Sequence, residues 1–137
     1  MIIKLLVVAI ISMVLGFVWH GPLFGKLWMK IIGCDMSKMT PEELAKSKKA
    51  MMPAYVLQFI LSLVTVFFLS KFVSGFTPKG AVLLSFIVWV GFMMPLAASG
   101  AMWSGKERKV AFQMFFVTGG FNLVVMLVSA YVLSIWR

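Results

Sequence analysis

The sequence has few of the residues that enzymes use for chemistry. Its 137 residues include four acidic side chains, one histidine (His20) and one cysteine (Cys34). A single cysteine excludes an internal disulfide and a paired-thiol redox centre. One cysteine and one histidine also cannot supply the four ligands of a structural zinc site. We therefore predict that the protein is not an enzyme and holds neither a metal nor a cofactor.

Charged residues are scarce as well, and they are unevenly placed. They make up 12% of the chain, whereas 62% of the residues are hydrophobic; soluble domains carry about 25% charged residues. Stretches without any charged side chain cover residues 5–25, 50–70, 80–105 and 110–136. Because about 20 helical residues cross a bilayer core, these stretches predict an all-α integral membrane protein with four transmembrane helices. We place the spans at about residues 2–21, 50–73, 79–103 and 109–135 of a single membrane domain, 1–137.

The first span follows a lysine, as the apolar part of a signal peptide does. It ends in Trp19-His20-Gly21-Pro22, however, and no small-residue cleavage site closes it. We therefore expect this segment to be retained as a membrane span.

A short amphipathic segment follows the first span. Over residues 22–32, Leu23, Leu27 and Ile31 fall on one helical face, and Lys26 and Lys30 fall on the other. This spacing predicts a short helix that lies in the membrane interface. The alternative is a direct continuation of the first span.

A helical extension precedes the second span. Thr40, Pro41 and the pair Glu42-Glu43 are residues that favour the N-cap, the first position and the first turn of a helix. We therefore expect a helix that begins in solvent, covers residues 41–49 as a cytoplasmic extension and enters the membrane near Ala50. Thr77-Pro78 repeats the signal before the third span.

The cations predict how the chain is threaded. Nine lysines and arginines lie in the connections between spans one and two and between spans three and four, and four lie on the opposite side. Cations accumulate on the cytoplasmic side of membrane proteins. We therefore predict a protein of the plasma (inner) membrane with both termini outside the cytoplasm. The excess charge fits anionic lipid, and we expect no nucleic-acid partner.

The spans contain neutral polar side chains at helical spacing. Gln58, Ser62 and Thr65 share one face of the second span, and Thr118 and Asn122 share a face of the fourth. Two interpretations stay open: these residues pack helices together, or they line a path or cavity. Because no acidic residue lies within a span, proton-coupled antiport through an embedded carboxylate is excluded.

His20 and four tryptophans mark the ends of spans. Trp19, Trp28, Trp103 and Trp136 are predicted to anchor helix ends in the lipid headgroups. His20, the only histidine of the chain, either belongs to the same belt or acts as a gate, ligand contact or proton site. The candidate lining or helix-packing residues are thus Gln58, Asn122, Thr118 and His20.

The run Gly16-Phe17-Val18-Trp19-His20-Gly21-Pro22-Leu23-Phe24-Gly25-Lys26-Leu27-Trp28 resembles the first-helix signature of the DUF1761 family. The similarity continues in Trp89-Val90-Gly91-Phe92-Met93-Met94-Pro95 and into the C-terminal span, so it covers nearly the whole chain. At the position of His20 the family often has tyrosine. The resemblance implies a small, mostly bacterial membrane protein, and it carries no established activity.

The two tryptophan-containing segments also resemble each other. Gly16-Phe17, Pro22-Leu23, Gly25 and Trp28 recur loosely as Gly91-Phe92, Pro95-Leu96, Gly100 and Trp103. An internal repeat of two helices per unit is one explanation. Chance is the other, because glycine, phenylalanine and leucine are abundant throughout.

These observations lead to two expectations for function. The first is a non-catalytic accessory or scaffold protein that acts through helix packing in the bilayer. The alternative is a small oligomeric channel or carrier for a neutral or weakly charged solute. Both imply a second copy of the chain or another membrane protein as partner, because 137 residues enclose little volume.

Overall fold

The computed structural model describes residues 1–33 and 36–136. Cys34 lies outside the described residues, and so does Arg137, one of the cations counted above. The chain forms α1 (Ile2–Val18), α2 (Gly25–Ile32), α3 (Pro41–Phe72), α4 (Pro78–Val88), α5 (Met94–Met102) and α6 (Arg108–Ile135). A π-helical turn (Trp19–Leu23) continues α1, a second one (Trp89–Met93) joins α4 to α5, and a short 3-10 turn (Met36–Lys38) precedes α3.

The all-α membrane fold is confirmed. Four helical segments are long and apolar enough to cross a membrane: Ile2–Leu23, Pro41–Phe72, Pro78–Met102 and Arg108–Ile135. The described residues form no strand. The short helix α2 follows the first span, with Ile31 buried and Lys26 and Lys30 exposed on the opposite side. Many large apolar side chains of the four spans are exposed, as expected where lipid rather than water surrounds the helices.

The starts of α3 and α4 follow from their first residues. The hydroxyl of Thr40 accepts a hydrogen bond from the Glu43 N–H, and the Glu43 carboxylate accepts one from the Thr40 N–H, which completes a capping box. The hydroxyl of Thr77 likewise accepts from the Gly80 N–H. These bonds satisfy N–H groups that would otherwise lack a partner in the first turn of each helix.

The core lies around α6, the helix that packs against every other span. Its buried side chains Met126, Ala130 and Leu133 meet buried residues of α1, α3 and α4: Val8, Val66, Leu69, Val73 and Ala81. Several of these residues are small, which allows the helix backbones to approach closely. The span formed by α4 and α5 has the most extensive contact with α6.

Helix α3 has all of its buried residues in its C-terminal third. It packs along α1 and partly on α6, and its buried residues are Ser62, Val66 and Leu69. None of residues 41–61 is buried. With 32 residues at about 1.5 Å each, α3 is about 18 Å longer than a bilayer core of about 30 Å. Its first turns therefore project beyond the rest of the bundle.

The projecting start of α3 depends on its cap. Replacing the Thr40 hydroxyl in Thr40→Ala leaves the Glu43 N–H without its acceptor, which costs about 1 kcal/mol. We expect amide hydrogen exchange in residues 41–49 to become about fivefold faster. Thr40→Ser keeps the acceptor and should exchange like the unmodified protein. An unchanged exchange rate in Thr40→Ala would show that the extension is held by other contacts.

Candidate functional site

Each of the two π-helical turns begins with a tryptophan and has a glycine two positions later. Trp19 and Gly21 belong to the first turn, and Trp89 and Gly91 belong to the second. A π turn widens the helix and breaks its regular hydrogen bonding, and such turns are frequent at functional sites. Both turns lie against α6. This pairing of Gly91 with Gly21 differs in register from the internal repeat considered in the sequence, which pairs Gly91 with Gly16.

The two tryptophans hold α6 from different sides. The indole N–H of Trp19 donates to the carbonyl oxygen of Val117 at 2.9 Å, and that of Trp89 donates to the carbonyl oxygen of Gly119 at 3.0 Å. Residues two apart on a helix point about 200° away from each other. Each carbonyl has a second lone pair available beyond the one that accepts within the helix. Helix α6 is thus hydrogen-bonded to the first span through Trp19 and to the third span through Trp89.

Two neighbouring glycines, Gly119 and Gly120, lie on α6 beside the indole contacts, and one of them leaves space for the Trp19 ring. A β-carbon at Gly120 would lie 3.2 Å from Cζ2 of Trp19, closer than an ordinary contact. A β-carbon at Gly119 would lie 3.6 Å from the Phe115 ring, which is ordinary van der Waals distance. Gly120 is therefore the member of the pair that the Trp19 contact requires.

His20 lies in an aromatic cluster next to the Trp19 contact with α6. Its ring meets Trp28 at 5.0 Å and Phe121 at 5.1 Å between centroids, both edge to face. Its Nδ1 lies 3.1 Å from the carbonyl oxygen of Gly16. Trp19 packs on Phe24 at 4.7 Å in the same cluster. His20 and Trp28 are half-buried, so this cluster ties the π turn and α2 to α6.

A polar cavity lies further along α6, on the side that faces α3. Its volume is about 90 Å³. The polar side chains that line it are Ser12, Gln58, Ser62, Thr65 and Asn122, and the apolar ones are Leu61, Val66, Met93, Phe121, Val125 and Met126. The structure thus brings together Gln58 and Asn122, which the sequence predicted as candidates on two different spans. None of the charged side chains that the structure describes lines this cavity.

The hydroxyl and amide groups of the cavity differ in how they are bonded. Ser12, Ser62 and Thr65 each donate to a backbone carbonyl one turn earlier in their own helix. The carboxamides of Gln58 and Asn122 make no hydrogen bond within the described part of the chain. Gln58 is exposed at the open side of the cavity and Asn122 is half-buried. The cavity therefore contains two amides that have no hydrogen-bond partner among the described residues. The neighbouring hydroxyl groups already donate their protons to backbone carbonyls.

Thr118, the third predicted polar residue, does not line the cavity. Thr118 lies in sequence between Val117 and Gly119, and its buried hydroxyl has no hydrogen-bond partner among the described residues. Ser85, on α4, is in the same situation. Neither Ser85 nor Trp89 was among the candidates. The shared Trp-x-Gly spacing of the two spans is the sequence signal that points to Trp89.

The predicted anchors occupy different surroundings. The side chain of Trp103 is 81% exposed and that of Trp136 is 42% exposed. Trp136 also accepts, through its carbonyl oxygen, a hydrogen bond from Nζ of Lys4. Trp19 differs from these residues because its N–H is used inside the bundle. Anchoring in the headgroups stays a prediction for all four tryptophans.

The groups that line the polar cavity are neutral. Within the described ranges, no three of the side chains His, Cys, Asp and Glu come close enough to hold a metal ion. The cavity contains hydroxyl and amide groups but neither a general base nor a carboxylate. What it supplies is a set of neutral donors and acceptors enclosed by apolar side chains, which is typical of ligand sites.

Comparison with known proteins agrees with the resemblance in the sequence. Residues 3–134 match the model of a family described as a protein of unknown function (DUF1761). No curated protein and no solved structure matches the chain.

Substitutions of the two neighbouring glycines, Gly119 and Gly120, test the contact between Trp19 and α6. In Gly120→Ala the new methyl group presses on Trp19, which the bond to Val117 and the contact with Phe24 prevent from shifting. We expect overpacking of about 1–3 kcal/mol to exceed the gain in helix propensity of about 1 kcal/mol. The thermal unfolding temperature in detergent should therefore fall.

Gly119→Ala is the matched control, because its β-carbon meets only ordinary contacts. It should leave the unfolding temperature unchanged or raise it. Equal effects of the two substitutions would contradict the role assigned to Trp19.

Proposed function

The chain belongs to the DUF1761 family, which has no assigned activity, and we propose that it is a non-catalytic accessory protein that binds another membrane protein through α3. The observation that carries this proposal is the absence of any buried residue in positions 41–61 of that helix. Within the chain, Gln58 and Leu61 of this segment lie on the wall of the polar cavity. One ring contact, between Tyr55 and Phe17, joins it to α1.

Residues 41–49 must stay helical with few tertiary contacts. Isolated helices shorter than about 12–15 residues are marginal in water. The capping box at Thr40 and the continuous backbone into the membrane keep residues 41–49 helical without tertiary packing. A rigid, capped and uncovered helix loses little conformational freedom on binding, which makes it a suitable docking element.

Charge favours a different protein over a second copy as the partner on this helix. Copies of one chain are inserted in the same direction, so their α3 helices would run parallel in a dimer. Lys46, Lys48 and Lys49 would then meet the same lysines at the same height, and like charges repel. A partner with acidic residues at the cytoplasmic membrane surface avoids this repulsion.

Site-specific photocrosslinking tests the proposal. A photoreactive residue placed at Ala45 or Ala50, both exposed, should form an adduct with a second protein in intact cells. Leu96, 73% exposed on α5, is the control position and should give little adduct. Mass spectrometry of the adducts identifies what is attached.

The outcomes separate the two expectations. An adduct of α3 with a different protein supports the accessory role. An adduct with twice the mass of the chain instead favours the oligomeric channel or carrier. Equal adduct yields at the α3 positions and at Leu96 would refute α3 as the docking element.

The polar cavity favours a second candidate function, a small channel or carrier for a neutral solute. Gln58 and Asn122 are the residues expected to contact that solute, since both are unpaired at the cavity wall. If the chain transports such a solute, Asn122→Leu should abolish its flux into liposomes because the substitution removes both N–H donors and the carbonyl acceptor of the amide.

The control for this flux assay is Gln113→Leu, which replaces an amide of α6 that does not line the cavity. It should leave the flux intact. Loss of assembly rather than flux in Asn122→Leu would show that Asn122 serves helix packing.

A further inference from the structure

We propose that the polar cavity binds a small neutral molecule that carries a hydrogen-bond donor next to an acceptor, as primary amides and urea do. The inference rests on the second candidate function for its site, but it concerns binding and not transport. Its basis is the pair of free carboxamides, Gln58 and Asn122, on facing helices.

The charge of the ligand follows from the lining. No lysine, arginine, aspartate, glutamate or histidine lines the cavity. A charged solute placed among Met93, Phe121 and Val125 would lose its hydration without gaining a counter-ion, which is strongly unfavourable. The cavity is therefore suited to neutral molecules.

The hydrogen-bonding pattern of the ligand follows from the groups left free. The hydroxyl protons of Ser12, Ser62 and Thr65 are already donated to backbone carbonyls. Each carboxamide presents both N–H donors and a carbonyl acceptor. A molecule with adjacent donor and acceptor groups satisfies both functions of such an amide together. A molecule with an acceptor alone leaves the amide carbonyl unpaired, which costs free energy in an apolar surrounding.

The size of the ligand follows from the volume. The cavity measures about 90 Å³, equal to roughly three water molecules at about 30 Å³ each. That volume accommodates one molecule of the size of acetamide or urea. Access is provided by an apolar groove of about 190 Å³ between α3 and α4, which shares Thr65, Met93 and Met126 with the cavity wall.

Side-chain amide NMR tests this inference with few signals. The chain has three carboxamides, Gln58, Gln113 and Asn122, so its side-chain NH₂ spectrum contains three pairs of resonances. Acetamide titrated into the detergent-solubilised protein should shift the Gln58 and Asn122 pairs saturably. The Gln113 pair should stay in place and serves as the internal reference.

Two matched molecules test the chemistry of recognition. Acetone and acetate have the shape of acetamide, but acetone lacks the donor and acetate is charged. We expect acetone to bind about tenfold more weakly, which corresponds to one lost hydrogen bond, and acetate to give no saturable shift. Equal shifts with acetone and acetamide would overturn the proposed pattern of recognition. Acetamide shifts that never saturate, or none at all, would show a cavity that holds only water and would overturn the inference.

Two substitutions locate the site. Asn122→Leu should weaken acetamide binding at the Gln58 resonances by about tenfold, and Gln58→Met should do the same at the Asn122 resonances. The hydrogen-bonded indole signals of Trp19 and Trp89 report in the same spectra whether each variant is folded. Unweakened binding in either folded variant would overturn the assignment of its amide.

Liposome flux of acetamide then separates this inference from the function on which it rests. Saturable shifts at Gln58 and Asn122 without flux support the binding site and refute the carrier. Flux without those shifts supports a carrier and refutes this cavity as its site.

Discussion

The hydrogen bonds from two indoles to the backbone of α6 are the constraint on which the rest of the structure depends. In a bilayer, lipid chains are as apolar as leucine, so hydrophobicity gives helices little reason to associate. Specific polar contacts and close packing must therefore decide which helices meet. The bonds of Trp19 to Val117 and of Trp89 to Gly119 set α6 between the first and third spans. The serine pair Ser12 and Ser129, with hydroxyl oxygens 3.4 Å apart, adds a contact between α1 and α6.

The same constraint explains why α3 differs from the other spans. Trp19 and Trp89 join the first and third spans to α6, whereas among the described residues no side-chain hydrogen bond joins α3 to another helix, and α3 packs by van der Waals contact around Val66 and Leu69. An open groove lies between α3 and the third span, and the polar cavity lies between α3 and α6. The N-terminal half of α3 has no buried residue. Both proposed activities, docking of a partner and binding of a neutral solute, use surfaces that this asymmetry leaves available.

Much of the fold could be predicted from local patterns. The uncharged stretches indicated four spans, and Thr40-Pro41 and Thr77-Pro78 indicated where helices α3 and α4 begin. Such features depend on residues close together in sequence, for which hydrophobicity and capping rules are reliable. Part of the candidate site could be predicted too, since Gln58 and Asn122 were recognised as polar residues on helix faces. Their meeting in one cavity could not, because helical periodicity gives a face but not the neighbour of that face.

The sequence by itself determined that this chain is an all-helical membrane protein with four long uncharged stretches. Those properties follow from composition and spacing, since a bilayer admits only segments whose backbone bonds are satisfied internally. The tertiary structure alone decided which polar groups are used and which are left over. Trp19, which the sequence marked as an interfacial anchor, became a hydrogen-bond donor to α6, and Trp89 was not singled out at all. Whether an amide or indole finds a partner depends on the distance between groups on different helices, and that distance is set by packing.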